Sequence, residues 1–268
     1  MSPPVTETLL AECRDHALHI TLNRPQVRNA MSLQMVREIM ALFDYADTDA
    51  RLRAIVLRGA DGHFCAGGDI ADMANARAAA ESGDADPFQA LNREFGRMIT
   101  RVNQAPQTVV AILEGAVLGG GFGLACVSDV AITLNSARFG LPETGLGIPP
   151  AQIAPFVARR IGLTQARRLA LLGMRCDGEE ATRLGIAHEC VTNADELADK
   201  LATILAQIKR CAPQANAVTK QLLLDVEGAD LETLLDRAAA DFSRAIQGPE
   251  GREGALAFMQ KRNPEWAQ

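Results

Sequence analysis

The chain has 268 residues, of which 48% are hydrophobic and 22% charged, and its formal net charge at pH 7 is −6. This composition is typical of a soluble globular protein and excludes a wholly disordered chain. The excess of acidic residues argues against nucleic acid as a partner. No apolar run approaches the roughly 18 residues that a membrane span needs, and residues 1–12 lack the basic and apolar regions of a secretory signal.

The cysteines indicate the cellular compartment. Six cysteines are widely spaced, and none of them forms a C-x-x-C pair or a cluster with zinc-ligand spacing. Because structural disulfides belong to oxidising compartments, we expect reduced thiols and a cytoplasmic location. The six positions are Cys13, Cys65, Cys126, Cys176, Cys190 and Cys211.

The N-terminal part predicts a β-hairpin followed by a helix and a buried strand. Residues 5–12 and 17–22 form the two hairpin strands, and Pro25 ends the second one because proline cannot donate to a ladder. Ser32 is the expected N-cap of a helix that runs to about Ala46. Residues 53–58 form a short strand of buried type, and a glycine-rich loop follows over residues 59–69.

The middle of the chain alternates surface segments with buried strands. Residues 71–86 are rich in alanine and acidic residues without strong periodicity, so we expect a mobile surface segment there. Residues 87–103 are helical, and residues 108–113 form a second buried strand. A glycine-rich turn over residues 115–123 leads into a short helix, and residues 129–134 form a third strand.

The C-terminal part is helical. Helices are predicted over residues 149–161 and 164–172. Capping-box patterns, which begin at Asp177 and at Asn193, predict two further helix starts. From residue 193 to residue 261 the pattern is helical, with breaks near Pro213, Gly228 and Gly248. The β-rich part therefore ends near residue 191, and the helical tail must bury its apolar face on the body of the protein or on another subunit.

Two glycine-rich loops follow buried strands, over residues 63–69 and 118–123. Glycines let the backbone approach a ligand closely, and a helix start offers unpaired N–H groups. Two such loops side by side can supply two N–H donors to one oxygen, which is an oxyanion hole. The alternative is that both loops are simply tight strand-to-helix turns that need a positive φ.

Glu143 is a lone acid in an apolar stretch bounded by glycine and proline. Burial there would raise its pKa and suit it to proton transfer, although a solvated loop glutamate is the alternative. Other catalytic motifs do not emerge. The four histidines lie in different segments, so no Ser-His-Asp triad is indicated; they are His16, His19, His63 and His188.

These motifs together resemble the crotonase (enoyl-CoA hydratase/isomerase) superfamily. They are Phe-Cys-Ala-Gly-Gly-Asp (64–69), Leu-Gly-Gly-Gly-Phe-Gly-Leu-Ala (118–125), Phe-Gly-Leu-Pro-Glu (139–143), the stretch from Asn23 to Ser32, and Ala-Phe-Met-Gln-Lys-Arg (257–262). The resemblance implies an α/β fold, a spiral of ββα units, with a C-terminal helical trimerisation region. It implies a spiral core over residues 1–191, a helical region over residues 192–268 for oligomerisation and CoA contact, and a homotrimer or dimer of trimers.

The resemblance also implies the site residues. An acyl-CoA thioester would be bound with its carbonyl oxygen held by the backbone N–H groups of Gly68 and Gly120, while Glu143 acts as the catalytic acid and base. It implies no metal and no cofactor, because CoA is part of the substrate. Residues expected to contact the substrate are Arg28, Ala66, Gly123, Phe258 and Lys261.

One departure from the family pattern bears on the reaction. Hydratases of the family usually carry two glutamates, and the first would stand at Gly123, which has no side chain. Members that isomerise Δ3 to Δ2 enoyl-CoA keep only the second glutamate, so such an isomerase is one alternative. A non-catalytic acyl-CoA-binding member is another.

The stretch over residues 145–157 nevertheless resembles bacterial hydratases of branched glutaconyl-CoA. We therefore expect a hydro-lyase that acts on isohexenylglutaconyl-CoA or, as the next choice, on 3-methylglutaconyl-CoA. Such an enzyme would belong to terpene or leucine catabolism. We further expect that the space left by Gly123 admits the distal carboxylate or the 3-branch of that substrate.

Overall fold

The structure, a computed structural model, describes residues 2–82 and 86–267. The strands are β1 (Leu9–Arg14), β2 (Ala17–Leu22), β3 (Ala54–Gly59), β4 (Thr108–Leu113), β5 (Ala116–Leu118), β6 (Val130–Leu134), β7 (Arg138–Gly140), β8 (Arg175–Cys176) and β9 (Glu189–Val191). The helices are α1 (Leu33–Thr48), α2 (Ile70–Glu81), α3 (Pro87–Asn103), α4 (Gly120–Val127), α5 (Ala154–Leu172), α6 (Gly178–Arg183), α7 (Ala194–Arg210), α8 (Pro213–Leu224), α9 (Leu231–Gln247) and α10 (Pro249–Met259).

The strands form two sheets. The larger sheet has the order β1-β2-β3-β4-β6-β9, with every pair parallel except β1 and β2. The smaller sheet has the order β5-β7-β8. The chain repeatedly places one strand in the larger sheet, the next in the smaller sheet and then a helix, as in β4-β5-α4 and β6-β7-α5. This repetition is the predicted α/β spiral of ββα units.

Both faces of the larger sheet are covered, which explains the continuous apolar character of its strands. The main core lies on one face, between the sheets and helices α1, α3 and α4. On the other face, alternate strand residues such as Val56 and Val110 pack with Leu197, Ile204 and Ile208 of α7. Helix α7 therefore completes the core.

The predicted helix starts agree with the structure. The Ser32 side chain accepts a hydrogen bond from the Met35 N–H. The Asp177 side chain accepts from the Glu180 N–H, and Asn193 accepts from the Glu196 N–H. Each of these side chains satisfies a backbone donor that has no partner inside its helix.

Several predicted elements are corrected. Residues 70–81 form helix α2, which the sequence pattern did not predict, although the helix lies on the surface as expected, with only Ala76 buried; of the predicted segment, residues 83–85 lie outside the described residues. The first hairpin strand begins at Leu9 rather than at residue 5. The break predicted between residues 161 and 164 is confirmed, because α5 is interrupted at Gly162, where φ is +74°; only the start differs, since α5 begins at Ala154 rather than at residue 149.

The division of the chain at residue 191, into a core with the acyl-CoA site and a helical region for oligomerisation and CoA contact, stays a prediction. Strand β9 ends at Val191, and α7 to α10 follow it.

Within the described residues, all six cysteines are free thiols. No helix in the same ranges is both long and apolar enough to cross a membrane.

Candidate active site

The buried amide of Asn29 attaches the first glycine-rich loop to the turn before α1. Its Oδ1 accepts a hydrogen bond from the Arg24 N–H at 2.9 Å. Its Nδ2 donates to the carbonyls of Ala60 at 2.9 Å and His63 at 2.6 Å. Asn29 is fully buried, and its φ of +57° is one that asparagine tolerates better than most residues. One side chain thus fixes two segments of backbone.

An ion pair fixes the far end of the same loop. Arg24 lies 2.5 Å from the carboxylate of Asp69, and both side chains are largely buried. Arg24 also donates to the carbonyl of Ala30, while Asp69 caps α2 by accepting from the Ala71 N–H. Arg24, Asn29 and Asp69 all lie within the sequence motifs, but their residue types alone carry no signal of these contacts.

The N–H of Gly68 is left without a protein acceptor. Met31 donates to the carbonyl of Gly67 at 2.8 Å and accepts from the N–H of Asp69 at 3.1 Å. Because successive peptide groups in extended backbone point to opposite sides, the Gly68 N–H points away from Met31. Among the described residues, no group accepts a hydrogen bond from it.

The second glycine-rich loop touches the first. Gly119 has a φ of +49°, and a Cβ at this position would lie 3.4 Å from the Cα of Gly67. Gly120 is the first residue of α4, so its N–H has no acceptor inside the helix, and none elsewhere in the described chain bonds to it. Two adjoining loops therefore each present an unpaired backbone N–H.

Glu143 lies beside these loops. It begins a short 3₁₀ helix, Glu143–Leu146, and its Oε1 is 2.8 Å from the position that a Cβ on Gly119 would occupy. Its Oε2 is buried without a hydrogen-bond partner. Burial raises the pKa of this carboxyl above its ordinary value, and a backbone hydrogen bond at Glu143 itself offsets part of the increase. A carboxyl with these properties is suited to moving protons.

The space at Gly123 is already filled, so the expectation that it admits part of the substrate is wrong. A Cβ on Gly123 would overlap Cγ2 of Ile153 and would lie 3.4 Å from Cδ1 of Ile99. Both isoleucines are buried. Ile153 is the residue just before α5, and nothing in the sequence pattern indicated that it packs on α4.

Helix α3 packs against α4 beside the glycine-rich loop. A Cβ on Gly120 would lie 2.8 Å from Cζ of Phe95. Phe95 and Ile99 are one helical turn apart and contact neighbouring positions of α4. The sequence predicted this helix but not which residues it covers.

The other expected substrate contacts lie in two places. Arg28, with a φ of +49°, is exposed, and its carbonyl accepts from the Ala66 N–H at 3.0 Å, which places both residues beside the first loop. Phe258, in contrast, is 86% exposed on α10, and Lys261 follows the end of that helix. Within the described residues, no hydrogen bond or ion pair joins these two residues to either loop.

The described residues include no group of three or more His, Cys, Asp or Glu side chains placed to hold a metal ion. The chemistry that this site offers comes from one carboxyl with a raised pKa and two unpaired N–H groups. These groups can hold a developing negative charge and move a proton next to it.

Comparisons with known proteins agree with this site. A family model described as enoyl-CoA hydratase/isomerase matches residues 13–268. AtuE of Pseudomonas aeruginosa is 61% identical, with a TM-score of 0.94 over 98% of this chain and 100% of that one. An enoyl-CoA hydratase/isomerase of Marinobacter aquaeolei is 57% identical, with a TM-score of 0.94 over 97% and 99%.

A curated relative extends the comparison to a named substrate. The mevalonyl-coenzyme A hydratase SIDH of Beauveria bassiana is 30% identical over 98% of this chain and 96% of its own. The family match covers nearly the whole chain, including both glycine-rich loops and Glu143. The chain is therefore an enzyme of the crotonase superfamily and belongs to its enoyl-CoA hydratase/isomerase family.

Proposed function

We propose that this enzyme is a hydratase that adds water across the α,β double bond of a 3-branched glutaconyl-CoA. Isohexenylglutaconyl-CoA is the favoured substrate and 3-methylglutaconyl-CoA the next. One observation carries the proposal. Glu143 has a buried, unpartnered Oε2 beside the two loops that present unpaired N–H groups.

In this mechanism the N–H groups of Gly68 and Gly120 bind the thioester carbonyl oxygen. As the nucleophile adds at C3, the double bond shifts and negative charge develops on that oxygen as an enolate. Donors that already point at the oxygen stabilise this charge without reorganising. One such donor contributes about 10²–10³-fold to kcat in enzymes that use them.

Glu143 then serves both proton steps. Its carboxylate accepts a proton from a water molecule as the water oxygen bonds to C3. The protonated carboxyl returns a proton to C2, the enolate collapses to the thioester, and the net addition is one water. The raised pKa of Glu143 favours the second step. A general acid is most effective when its pKa lies near the working pH, because it is then protonated in a useful fraction of molecules and still gives up its proton readily. The proposal assigns no metal or redox cofactor, because these groups supply both functions.

The relatives support the choice of a 3-branched acyl group. A mevalonyl group carries a methyl branch at C3, and SIDH is named as a hydratase of its CoA ester. The resemblance of residues 145–157 to hydratases of branched glutaconyl-CoA points to the same branch together with a distal carboxylate.

A Δ3,Δ2-enoyl-CoA isomerase is the second candidate. It is favoured by the single carboxyl, since Ile153 rather than an acid fills the space next to Gly123. In that reaction Glu143 would take a proton from C2 and return it to C4, with no change in composition.

The proposal includes a homotrimer or a dimer of trimers in the cytoplasm. Helix α9 buries only Leu234 among its residues, so most of its apolar side chains are exposed. In an assembly, Phe258 and Lys261 would reach the CoA of a neighbouring subunit, while Arg28 binds it from its own. Strongly exposed apolar side chains of α9 and α10 are Leu231, Leu235, Phe242, Ile246, Phe258 and Met259.

Mass spectrometry of the products tests the reaction type. The enzyme is incubated separately with isohexenylglutaconyl-, 3-methylglutaconyl-, crotonyl- and 3-hexenoyl-CoA. We expect a mass gain of one water, greatest with the branched glutaconyl esters. An unchanged mass with a shifted double bond from 3-hexenoyl-CoA, and hydration of none of the esters, would replace the hydratase with the isomerase.

A further inference from the structure

A small polar cluster lies at the edge of the apolar contact between α3 and α4. We call it the α3 polar cluster, and it consists of Asn92, Arg93 and Gln152. The Gln152 Nε2 donates to Oδ1 of Asn92 at 3.0 Å. Nη1 of Arg93 donates to Oε1 of Gln152 at 3.3 Å.

Arg93 has no acidic partner among the described residues. Arg97, one turn further along the same exposed side of α3, is instead paired with Glu94. A guanidinium that is held by a neutral amide keeps its full charge available for an anion.

Gly96 makes room for the α3 polar cluster. A Cβ at this position would overlap Oε1 of Gln152 and would lie 2.8 Å from Nη1 of Arg93. Glycine inside a helix costs about 1 kcal/mol relative to alanine, and Gly96 is buried in the middle of α3. Its presence lets both polar groups lie against the helix backbone.

The cluster adjoins the site. Gln152 is directly followed by Ile153, which covers Gly123. Gly96, against which Arg93 and Gln152 lie, is three residues before Ile99 on the same face of α3, and Ile99 lies 3.4 Å from the Cβ position of Gly123. The cluster therefore borders the residues that pack around Gly123, and Arg93 is exposed enough to meet a ligand.

We propose that Arg93, positioned by Gln152, binds the distal carboxylate of the acyl group. The inference rests on the proposed function and narrows its substrate class to acyl-CoA esters that carry a second carboxylate. A guanidinium fork matches a carboxylate in a bidentate way, and the Gln152 amide adds a further donor. Arg93 is thus a specificity-determining residue.

The test compares two esters that differ mainly in the second carboxylate, 3-methylglutaconyl-CoA and 3-methylcrotonyl-CoA. The readout is the ratio of their kcat/KM values. Arg93→Met is expected to lower this ratio by about 10- to 100-fold, the range for a lost hydrogen bond to a charged group. Arg97→Met, on the same helix but in an existing ion pair, is the matched control and should leave the ratio unchanged.

Gly96→Ala is the second variant. Its methyl group displaces Gln152 and Arg93 together, while alanine favours the helix. We expect the ratio to fall as in Arg93→Met, with a melting temperature equal to or above that of the native enzyme. This result separates loss of recognition from loss of folding.

The outcomes distinguish the two proposals. If the native enzyme prefers 3-methylglutaconyl-CoA and both variants keep that preference, the role of Arg93 is wrong and the proposed function stands. An equal loss on both esters in Arg93→Met, with the ratio unchanged, also overturns the role. If the native enzyme hydrates 3-methylcrotonyl-CoA but not the glutaconyl esters, the proposed substrate class itself is wrong.

Discussion

Glu143 and Gly119 are so close that only a residue without a side chain fits between the carboxylate and the loop backbone. Oε1 of Glu143 lies 2.8 Å from where a Cβ on Gly119 would stand, and Gly119 has a φ of +49°. The position of the carboxylate is therefore set by the backbone of the loop that also carries Gly120. The carboxylate that moves the proton thus contacts the residue that directly precedes Gly120, the expected oxyanion donor.

Gly119→Ala should displace the carboxylate without removing it. We expect kcat to fall by about 10²-fold, the effect of a misplacement of roughly 1 Å. Gly145→Ala is the matched control, because Gly145 lies in the same 3₁₀ helix as Glu143 and a Cβ there would meet nothing within 4 Å. Steady-state kinetics on the best substrate checks both. Equal activity in the two variants would contradict the tight contact.

Glu143→Gln should abolish most of the activity, because the amide keeps the shape of the side chain but transfers no proton. A fall in kcat of about 10²–10⁴-fold is expected for a general acid or base. Glu180→Gln, a partly exposed glutamate on α6 that pairs with Arg183, is the control and should have native kcat. A Glu143→Gln variant with near-native kcat would show that another group moves the proton.

The raised pKa of Glu143 also predicts a pH-dependent stability. A folded-state pKa above the ordinary value of 4.5 means that the folded protein holds this proton more tightly than the unfolded chain does. The associated stabilisation is full below pH 4.5 and is lost as the pH rises through the folded-state pKa. Glu143→Gln should therefore unfold at higher urea concentration than the native enzyme at pH 7, and the difference should shrink as the pH falls towards 4.5. A difference that grows on acidification would reverse the sign and refute the argument.

Gly123 and Ile153 should be energetically coupled. Gly123→Ala introduces a methyl group where Ile153 already lies and is expected to cost about 1–3 kcal/mol of stability through overpacking. Ile153→Ala leaves a cavity, which the methyl group of Gly123→Ala can partly fill. The double variant should thus be less destabilised than the sum of the single variants by about 0.5–3 kcal/mol. Urea unfolding of the four proteins measures this, and simple additivity would contradict the contact.

The ion pair of Arg24 with Asp69 should matter more than exposed pairs elsewhere. Arg24→Met leaves a largely buried carboxylate without its cation and is expected to cost about 1–3 kcal/mol of stability. Arg159→Met, which breaks an exposed pair with Glu227, should cost about 0–1 kcal/mol. Thermal unfolding compares them. If both substitutions have the same small effect, Arg24 does not fix the first loop.

Strong local patterns predicted the regular elements well. Helix α3 occupies the predicted residues 87–103, because Pro87 suits a first helical position and apolar residues recur at helical spacing. Helix α2 was missed because its alanines give no apolar face, and only Ala76 is buried. Strands β7, β8 and β9, of two or three residues, are too short to show a pattern.

The site was predictable in its components but not in its packing. Glu143 and the two loops are recognisable from residue types and order alone. Contacts between distant segments are not, because nothing near Gly123 in the sequence indicates that Ile153 fills the space beside it. The same holds for Gln152, which lies against Gly96 some 56 residues earlier in the chain.

The hydrocarbon of Ile153 next to Gly123 also determines the electric field at the site. Two unit charges 4 Å apart repel by about 1 kcal/mol in water and about 4 kcal/mol near a protein surface. A second carboxylate in place of this isoleucine would repel Glu143 and any acyl group that is itself an anion, by an amount that depends on their distance. Because carbon occupies that position, a substrate with its own carboxylate meets no repulsion from it.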